Sequence, residues 1–214
     1  MRELGWEVAG IEPDPVAARV ARDTYRIVVH AGDLQTAALP RASFDAVVLS
    51  HVIEHVRDPV RVLEACGGFL QRGGHLVLLT PNIESLGHRV FRDSWITLDP
   101  PRHLVLFAPR TLAGCCRAAG LEVTRAGTST RIAPWRWAAS RALRSRGVLP
   151  NLDASSIPRR YTRIEGRVFW IVEHLLSVFG SWGEDAVVIC RKTTRRAPGP
   201  RVACGVAPQS RKVG

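Results

Sequence analysis

Two short apolar runs constrain the fold of this chain more than any other feature. FDAVVLS (44–50) and HLVLLT (75–80) are almost continuously apolar, and a helical pattern from about Pro59 to Leu70 separates them. Strands that are apolar along their whole length are typical of parallel sheets that helices cover on both faces. The runs therefore predict an α/β fold, with the first run buried on both faces and Arg72-Gly73-Gly74 ending the helix between them.

The same alternation continues on either side of these runs. Asp14 is a plausible N-cap and Pro15 suits a first helical turn. Together the elements predict a Rossmann-like, doubly wound, mostly parallel sheet, with a helical insertion before the last strand. The further predicted strands are 7–11, 27–29, 121–125 and 184–190, and the further predicted helices are 16–25 and 111–119.

The net charge of +11 is confined to one part of the chain. Residues 1–130 carry 14 arginines and 14 acidic residues, so the excess lies wholly in 131–214. This division predicts four parts: a core over 1–130, a basic and aromatic insertion over 131–183, the last core strand over 184–192 and a disordered basic tail over 193–214.

The insertion raises the question of an acidic partner. Trp135 and Trp137 lie among five arginines in 131–147, a composition that suits a membrane surface or nucleic-acid stacking. The neutral core and the absence of a recognition module disfavour nucleic acid and leave peripheral membrane contact as an alternative. The helix predicted over 165–180 is interpreted first as a lid over an acceptor site. Without a leader or a membrane-spanning run, the sequence predicts a cytoplasmic protein.

Polar residues follow three of the predicted strands. Glu12 ends one strand, Asp33 follows the next, and Ser50-His51 end a third. Ligands of such sheets bind beyond the carboxyl ends of the strands, and an acid at the second strand end can accept hydrogen bonds from both ribose hydroxyls. Each carboxylate taken alone is equally consistent with a solvated loop.

Five segments carry a resemblance to a known family: LGWEVAGIEPDPVA, GDL, FDAVVLSHVIEHVRDP, LQRGGHLVLLTPN and PPRHLVLFAPRTLAGCCRAAGLEV. In this order they resemble class I S-adenosylmethionine-dependent methyltransferases, and the nearest subgroup includes the ubiquinone-biosynthesis O-methyltransferases. The resemblance implies S-adenosyl-L-methionine as the cofactor and an antiparallel last strand. It implies that Glu12 binds the ribose hydroxyls, Asp33 the adenine amino group and the Leu34 backbone the adenine ring, with Ser50 and His51 beside the methionine moiety.

The chain departs from the family at its start. The family begins with a strand and a glycine-rich loop, which this sequence lacks, so we expect a sheet without that strand and weak or absent cofactor binding. A misassigned start, a fragment or a degenerate copy would explain the departure. Two rivals stay open: a non-catalytic fragment that acts through its basic segment on a membrane or partner, and a nicotinamide oxidoreductase. SHVIEH and TPN disfavour the oxidoreductase.

His51, Glu54 and His55 also fit HxxEH, the pattern of inverted zinc proteases, and would share one face of a helix. The preceding buried strand, the early Pro59 and the lack of a third ligand helix oppose a protease. In the quinone-pathway enzymes of the family an acid followed by Glu-His can hold a divalent metal. Because His51 replaces that acid here, no metal is predicted; local capping by Glu54 and His55 is the simpler interpretation.

Methyl transfer requires mainly that the acceptor be held in line with the activated methyl group. A hydroxyl acceptor also benefits from a general base, for which His51, His55 and His103 are the candidates, although each can equally be structural. His103 lies in a loop that the family places over the acceptor pocket, and Asn82 could line the same pocket. The expected reaction is O-methylation of a small molecule or glycan; neither the acceptor nor the oligomeric state can be read from these residues.

Overall fold

The computed structural model describes residues 2–34, 36–147, 166–177 and 180–193. Within these ranges, strands and helices alternate along the chain as the sequence predicts. The elements are β1 (Ala9–Glu12), α1 (Pro15–Tyr25), β2 (Val28–Ala31), β3 (Phe44–Ser50), α2 (Pro59–Phe69), β4 (Leu70–Pro81), α3 (Leu86–Phe91), α4 (Pro109–Ala118), β5 (Glu122–Ser129), α5 (Ala133–Arg146), α6 (Gly166–Ser177) and β6 (Asp185–Arg191).

Side-chain caps fix where the first two long helices begin. The Asp14 carboxylate accepts hydrogen bonds from the backbone N–H groups of Val16 and Ala17, at 2.7 and 3.3 Å. Asp58 caps α2 in the same way, and a proline follows each cap. The caps satisfy N–H groups that have no partner within the helix. The predicted start of α1 is therefore confirmed.

The strands form two sheets. β1 and β2 pair in parallel, and a four-stranded sheet has the order β3-β4-β6-β5. β3 and β4 are parallel, whereas β6 is antiparallel to both β4 and β5. The Rossmann-like arrangement, the antiparallel last strand and the helical insertion before it are confirmed. The boundaries of the four parts stay predictions, and the tail beyond Thr193 lies outside the described residues.

A cleft of about 870 Å³ lies between the two sheets, lined by residues of β1 and β3. No described residue forms a strand between these two edges. The prediction that 44–50 is buried on both faces was wrong, because β3 is the edge strand of its sheet beside this cleft. Val48 of β3 is 54% exposed as a result.

The predicted stop at Arg72-Gly73-Gly74 was also wrong. α2 ends at Phe69, and the chain continues directly into β4, which contains all three residues. A Cβ atom on Gly74 would lie 2.9 Å from the Phe44 carbonyl oxygen, so glycine permits a close approach of β3 to β4 here. Glycine therefore marks backbone contact in the sheet and not a helix end.

The main core lies between β4, β6 and the helices α2 and α4. It includes Leu63, Leu76, Leu112 and Val188. Four buried cysteines with reduced thiols belong to the same cluster: Cys66, Cys115, Cys116 and Cys190. Cys204 lies outside the described residues.

The insertion uses its tryptophans for packing. The Trp137 ring stacks on Phe169 of α6, with centroids 3.8 Å apart, and meets Phe91 edge-on at 4.6 Å. Trp135 is half-buried against a small cluster around Ile96. These contacts join α5 to α6 and to the core, while contact of the insertion with a membrane or nucleic acid stays a prediction.

The buried Arg136 side chain on α5 is the cation for three buried acidic residues: Glu173, Glu184 and Asp185. The Arg136 guanidinium lies 2.8 Å from Asp185 Oδ1 and also donates to the Glu184 carbonyl oxygen at 2.7 Å. Within the described part of the chain, neither carboxylate oxygen of Glu173 has a hydrogen-bond partner. Burial, together with the Glu184 carboxylate, raises the pKa of Glu173 to about 9, although Arg136 opposes the shift.

We expect Glu173→Gln to remove part of the pH dependence of stability. The pKa of Glu173 is higher in the folded state than its ordinary value of 4.5, so its contribution is complete below pH 4.5 and is lost as the pH rises towards 9. One such group changes the free energy of unfolding by up to about 1.4 kcal/mol per pH unit. Urea unfolding at several pH values between 5 and 9 should show a shallower decline for the variant.

Glu122→Gln at the exposed start of β5 is the matched control and should leave the decline as in the parent chain. A residual slope is expected in Glu173→Gln, because burial also raises the pKa values of Glu184 and Asp185. If the free energy of unfolding changed with pH equally in Glu173→Gln and in the parent chain, Glu173 would be ionised in the folded protein.

Candidate active site

The predicted cofactor-binding acids lie at adjacent strand ends. The Gly32 N–H donates to the Glu12 carbonyl oxygen at 3.0 Å, which ties the end of β2 to the end of β1. Glu12 Oε1 accepts from the Asp14 N–H at 3.0 Å. Asp33 Oδ1 accepts from the Thr36 N–H at 2.8 Å. A backbone N–H group thus orients each carboxylate at the edge of its sheet.

The cleft between the sheets opens beside these acids. Asp33 and Leu34 line it directly, and Ile11 and Pro13, the neighbours of Glu12, do so as well. An apolar cleft with carboxylates at its edge fits an adenosine, whose ring is apolar and whose ribose offers hydroxyl donors. The residues present therefore fit the adenosine half of a nucleoside cofactor. The contact of Ser50 and His51, at the end of β3, with the methionine half stays a prediction from the family resemblance.

His51 is held by its own backbone and by a buried acid. It adopts a left-handed conformation with φ of 54°, and its N–H donates to the Leu79 carbonyl oxygen at 2.8 Å. Its Nδ1 lies 3.3 Å from Glu54 Oε1, while Glu54 Oε2 accepts from the Thr80 hydroxyl at 2.8 Å. Burial opposes charge on Glu54, but hydrogen bonds from His51, the Glu54 backbone and Thr80 hold its pKa below the usual value. The carboxylate is therefore ionised at neutral pH.

His55 and His103 form a second pair of imidazoles, with ring centroids 4.8 Å apart. His55 Nδ1 lies 2.9 Å from the Arg102 carbonyl oxygen, and His103 Nδ1 lies 2.6 Å from that of Thr97. Because a carbonyl oxygen only accepts, each Nδ1 carries the proton. In the neutral rings each Nε2 is then the basic nitrogen.

Glu54, His55 and His103 each offer a ligand atom, and the three atoms lie within 4.8 Å of one another. These three residues could hold a metal ion, and they form the candidate metal-binding group found among the described residues. It differs from the HxxEH trio, because Ile53–His55 is a short 3₁₀ turn and not part of an α-helix. The expected common helical face of His51, Glu54 and His55 was therefore wrong.

The Asn82 side chain has a structural role. Its amide donates to the carbonyl oxygens of Ser181 and Gly183 at 2.8 and 2.7 Å, and its Oδ1 accepts from the Glu84 N–H at 3.0 Å. The side chain is fully buried, so the prediction that it lines the acceptor pocket was wrong. Thr80 and the two carbonyl groups that orient His55 and His103 were not predicted from the sequence. Main-chain acceptors carry no sequence signal, and the contact of Thr80 with Glu54 joins residues far apart in the chain.

Comparison with known proteins decides the family. Residues 1–126, more than half of the chain, match the methyltransferase domain family. The chain belongs to this family. As a class I S-adenosylmethionine-dependent methyltransferase, it has S-adenosyl-L-methionine as its cofactor, and the nicotinamide oxidoreductase alternative is set aside.

Individual relatives support the assignment of the chain to the methyltransferase family. It is 29% identical over 171 residues to a ubiquinone biosynthesis O-methyltransferase of Cereibacter sphaeroides, covering 74% of this chain and 68% of the relative. A methyltransferase structure from Thermotoga maritima, described as a possible histamine N-methyltransferase, matches with a TM-score of 0.56 and 20% identity over 89% of this chain and 75% of that one.

The structure of the [4+2]-cyclase SpnF matches with a TM-score of 0.54 and 18% identity, over 87% of this chain and 66% of that one. Identities this low show the fold alone. The methyltransferase spans about two thirds of the length of the C. sphaeroides relative and of the cyclase. The acceptor and its chemistry therefore follow only from the site.

Proposed function

We propose that this methyltransferase transfers a methyl group to a hydroxyl oxygen of a small molecule or glycan. The observation that carries the proposal is the His51–Glu54 pair at the end of β3, beside the cleft whose edge carries Glu12 and Asp33. The name of the C. sphaeroides relative supports oxygen as the acceptor atom. The cofactor supplies a methyl group activated on a sulfonium sulfur.

We assign the general base to His51. The ionised Glu54 carboxylate accepts from Nδ1, which leaves Nε2 to take a proton from the acceptor hydroxyl as its oxygen forms the bond to the methyl carbon. Glu54 then stabilises the imidazolium that results, as a buried carboxylate does in acid–histidine pairs. The carbonyl partners of His55 and His103 are neutral and give less stabilisation. These two imidazoles are assigned to binding the acceptor, without a metal.

Glu12 and Asp33 are assigned to the adenosine. We expect Glu12→Gln to lower the affinity for S-adenosyl-L-methionine about 10- to 100-fold, because a carboxylate accepts from two ribose hydroxyls more strongly than an amide. Asp33→Asn should lower it about tenfold, through the loss of a charged acceptor for one amino group. Isothermal titration calorimetry measures both.

Asp23→Asn on the exposed surface of α1 is the control and should bind like the parent chain. Equal affinities for Glu12→Gln and the parent would remove Glu12 from the cofactor site. Release of S-adenosylhomocysteine with a panel of hydroxyl and amine acceptors tests the reaction itself. Turnover with amines alone would contradict O-methylation, and turnover with no acceptor would favour a binding role over an enzymatic one.

A further inference from the structure

The solvent-facing side of α6 is apolar. Four side chains with spacing i, i+3, i+4 and i+7 form one stripe along this helix. Each is between about two fifths and three fifths exposed: Val168 57%, Ile171 50%, Val172 42% and Leu175 60%. We refer to these four residues as the α6 stripe.

The opposite side of α6 faces the protein and carries a charged group. Phe169 packs on Trp137 of α5, and Glu173 on the same side is fully buried. The helix therefore has a carboxyl group inside and aliphatic groups outside, the reverse of an ordinary surface helix. Exposed aliphatic residues at helical spacing are typical of a surface that another apolar phase covers.

The exposed charges that the structure describes on α5 and α6 have one sign. Among the described residues, every exposed charged side chain of α5 and α6 is basic: Arg141, Arg144 and Arg167. The acidic residue of α6, Glu173, is buried. Trp170, 39% exposed, stacks on His174 beside the stripe. Aliphatic and tryptophan side chains flanked by arginine are the composition of helices that lie in the interface of a bilayer.

We propose that the α6 stripe docks on the surface of a lipid bilayer that carries anionic headgroups. The four aliphatic side chains enter the headgroup region, and Arg144 and Arg167 bind the negatively charged lipids. The helix lies parallel to the surface; in the described part of the chain no helix has both the length and the apolarity to span a bilayer. This surface lies outside the residues assigned to catalysis, so the proposal does not depend on the acceptor.

Sedimentation with vesicles tests the apolar part. The chain should bind vesicles of phosphatidylcholine with about a third phosphatidylglycerol, and the double variant Ile171→Ser/Leu175→Ser should bind roughly tenfold or more weakly. The matched control is Val16→Ser/Val20→Ser, which removes two exposed aliphatic side chains at the same spacing from α1. Its binding should equal that of the parent chain.

The electrostatic part is tested with the same vesicles. Arg144→Gln and Arg167→Gln should each weaken binding about fivefold, and vesicles of phosphatidylcholine alone should bind the parent chain much more weakly. Equal binding to neutral and anionic vesicles, or equal loss in the α1 control, would overturn the proposal. So would a dimer in size-exclusion chromatography that Ile171→Ser/Leu175→Ser converts to a monomer, because the stripe would then be covered by a second copy of the chain.

Discussion

Replacing Arg136 with methionine is expected to lower the free energy of unfolding by about 3–5 kcal/mol at neutral pH. Arg136 is 4% exposed, and its guanidinium is the cation that the described structure places among Glu173, Glu184 and Asp185. Methionine keeps much of the volume but leaves the carboxylates unpaired in a buried site. Equilibrium unfolding in urea measures the change.

The loss should be smaller in acid. Burial raises the pKa values of Glu184 and Asp185, while Arg136 opposes that shift, so removing the arginine lets both carboxyl groups protonate more readily. Protonated carboxyl groups need no cation, and the difference between variant and parent should shrink as the pH falls from 7 towards 5. Arg144→Met on the exposed side of α5 is the control, with an expected change within about 0.5 kcal/mol. A loss below about 1 kcal/mol for Arg136→Met would show that Glu184 and Asp185 are also protonated in the parent chain.

The second large effect concerns catalysis. We expect His51→Gln to lower kcat by about 10²- to 10⁴-fold with little change in KM, because glutamine keeps a polar side chain but cannot take a proton. Steady-state release of S-adenosylhomocysteine at one pH near neutrality, with the acceptor concentration varied, measures kcat and KM.

Three companion variants make the assignment specific. Glu54→Gln should lower kcat less than His51→Gln does, since the imidazolium formed during the reaction loses its carboxylate partner. His103→Gln should raise KM more than it lowers kcat. His75→Gln, on the exposed side of β4, should behave as the parent enzyme. A fall in kcat of about 10²-fold or more in His103→Gln, with none in His51→Gln, would move the base to His103.

A chelator gives an independent measurement on the same site. With a histidine as the base, turnover should be unchanged after dialysis against EDTA and after addition of Mg²⁺ or Zn²⁺. Restoration of activity by one of these ions would instead make Glu54, His55 and His103 the ligands of a metal ion. Their ligand atoms lie close enough together to bind one ion.

The sequence predicted the fold well where local chemistry determines it. The cap at Asp14 and the apolar run of β3 set element bounds that the structure reproduces. Residues whose environment depends on distant segments were predicted poorly. Val48 was predicted to be buried because its neighbours are apolar, yet it is exposed because β3 is an edge strand beside the cleft. The missing neighbour of β3 was expected from the family resemblance and not from the local pattern.

The candidate site shows the same division. The strand-end acids could be predicted because parallel strands bring their carboxyl ends to one edge of a sheet. The pairing of His51 with Glu54 is a contact three residues apart and was within reach of the sequence. The carbonyl groups that fix the His55 and His103 tautomers come from the loop 97–102. Its path depends on tertiary packing, including the bond from the Ile96 N–H to Ser140 on α5.

The reactivity of the four buried thiols can report local unfolding of the core of this protein. Burial raises the pKa of Cys66 to about 12, so its reactive thiolate is scarce while the core is closed. Cys115 and Cys116 lie on α4 and Cys190 on β6. Alkylation of these sites, read by mass spectrometry of peptides, would therefore follow the separation of α4 from the sheet without any introduced label.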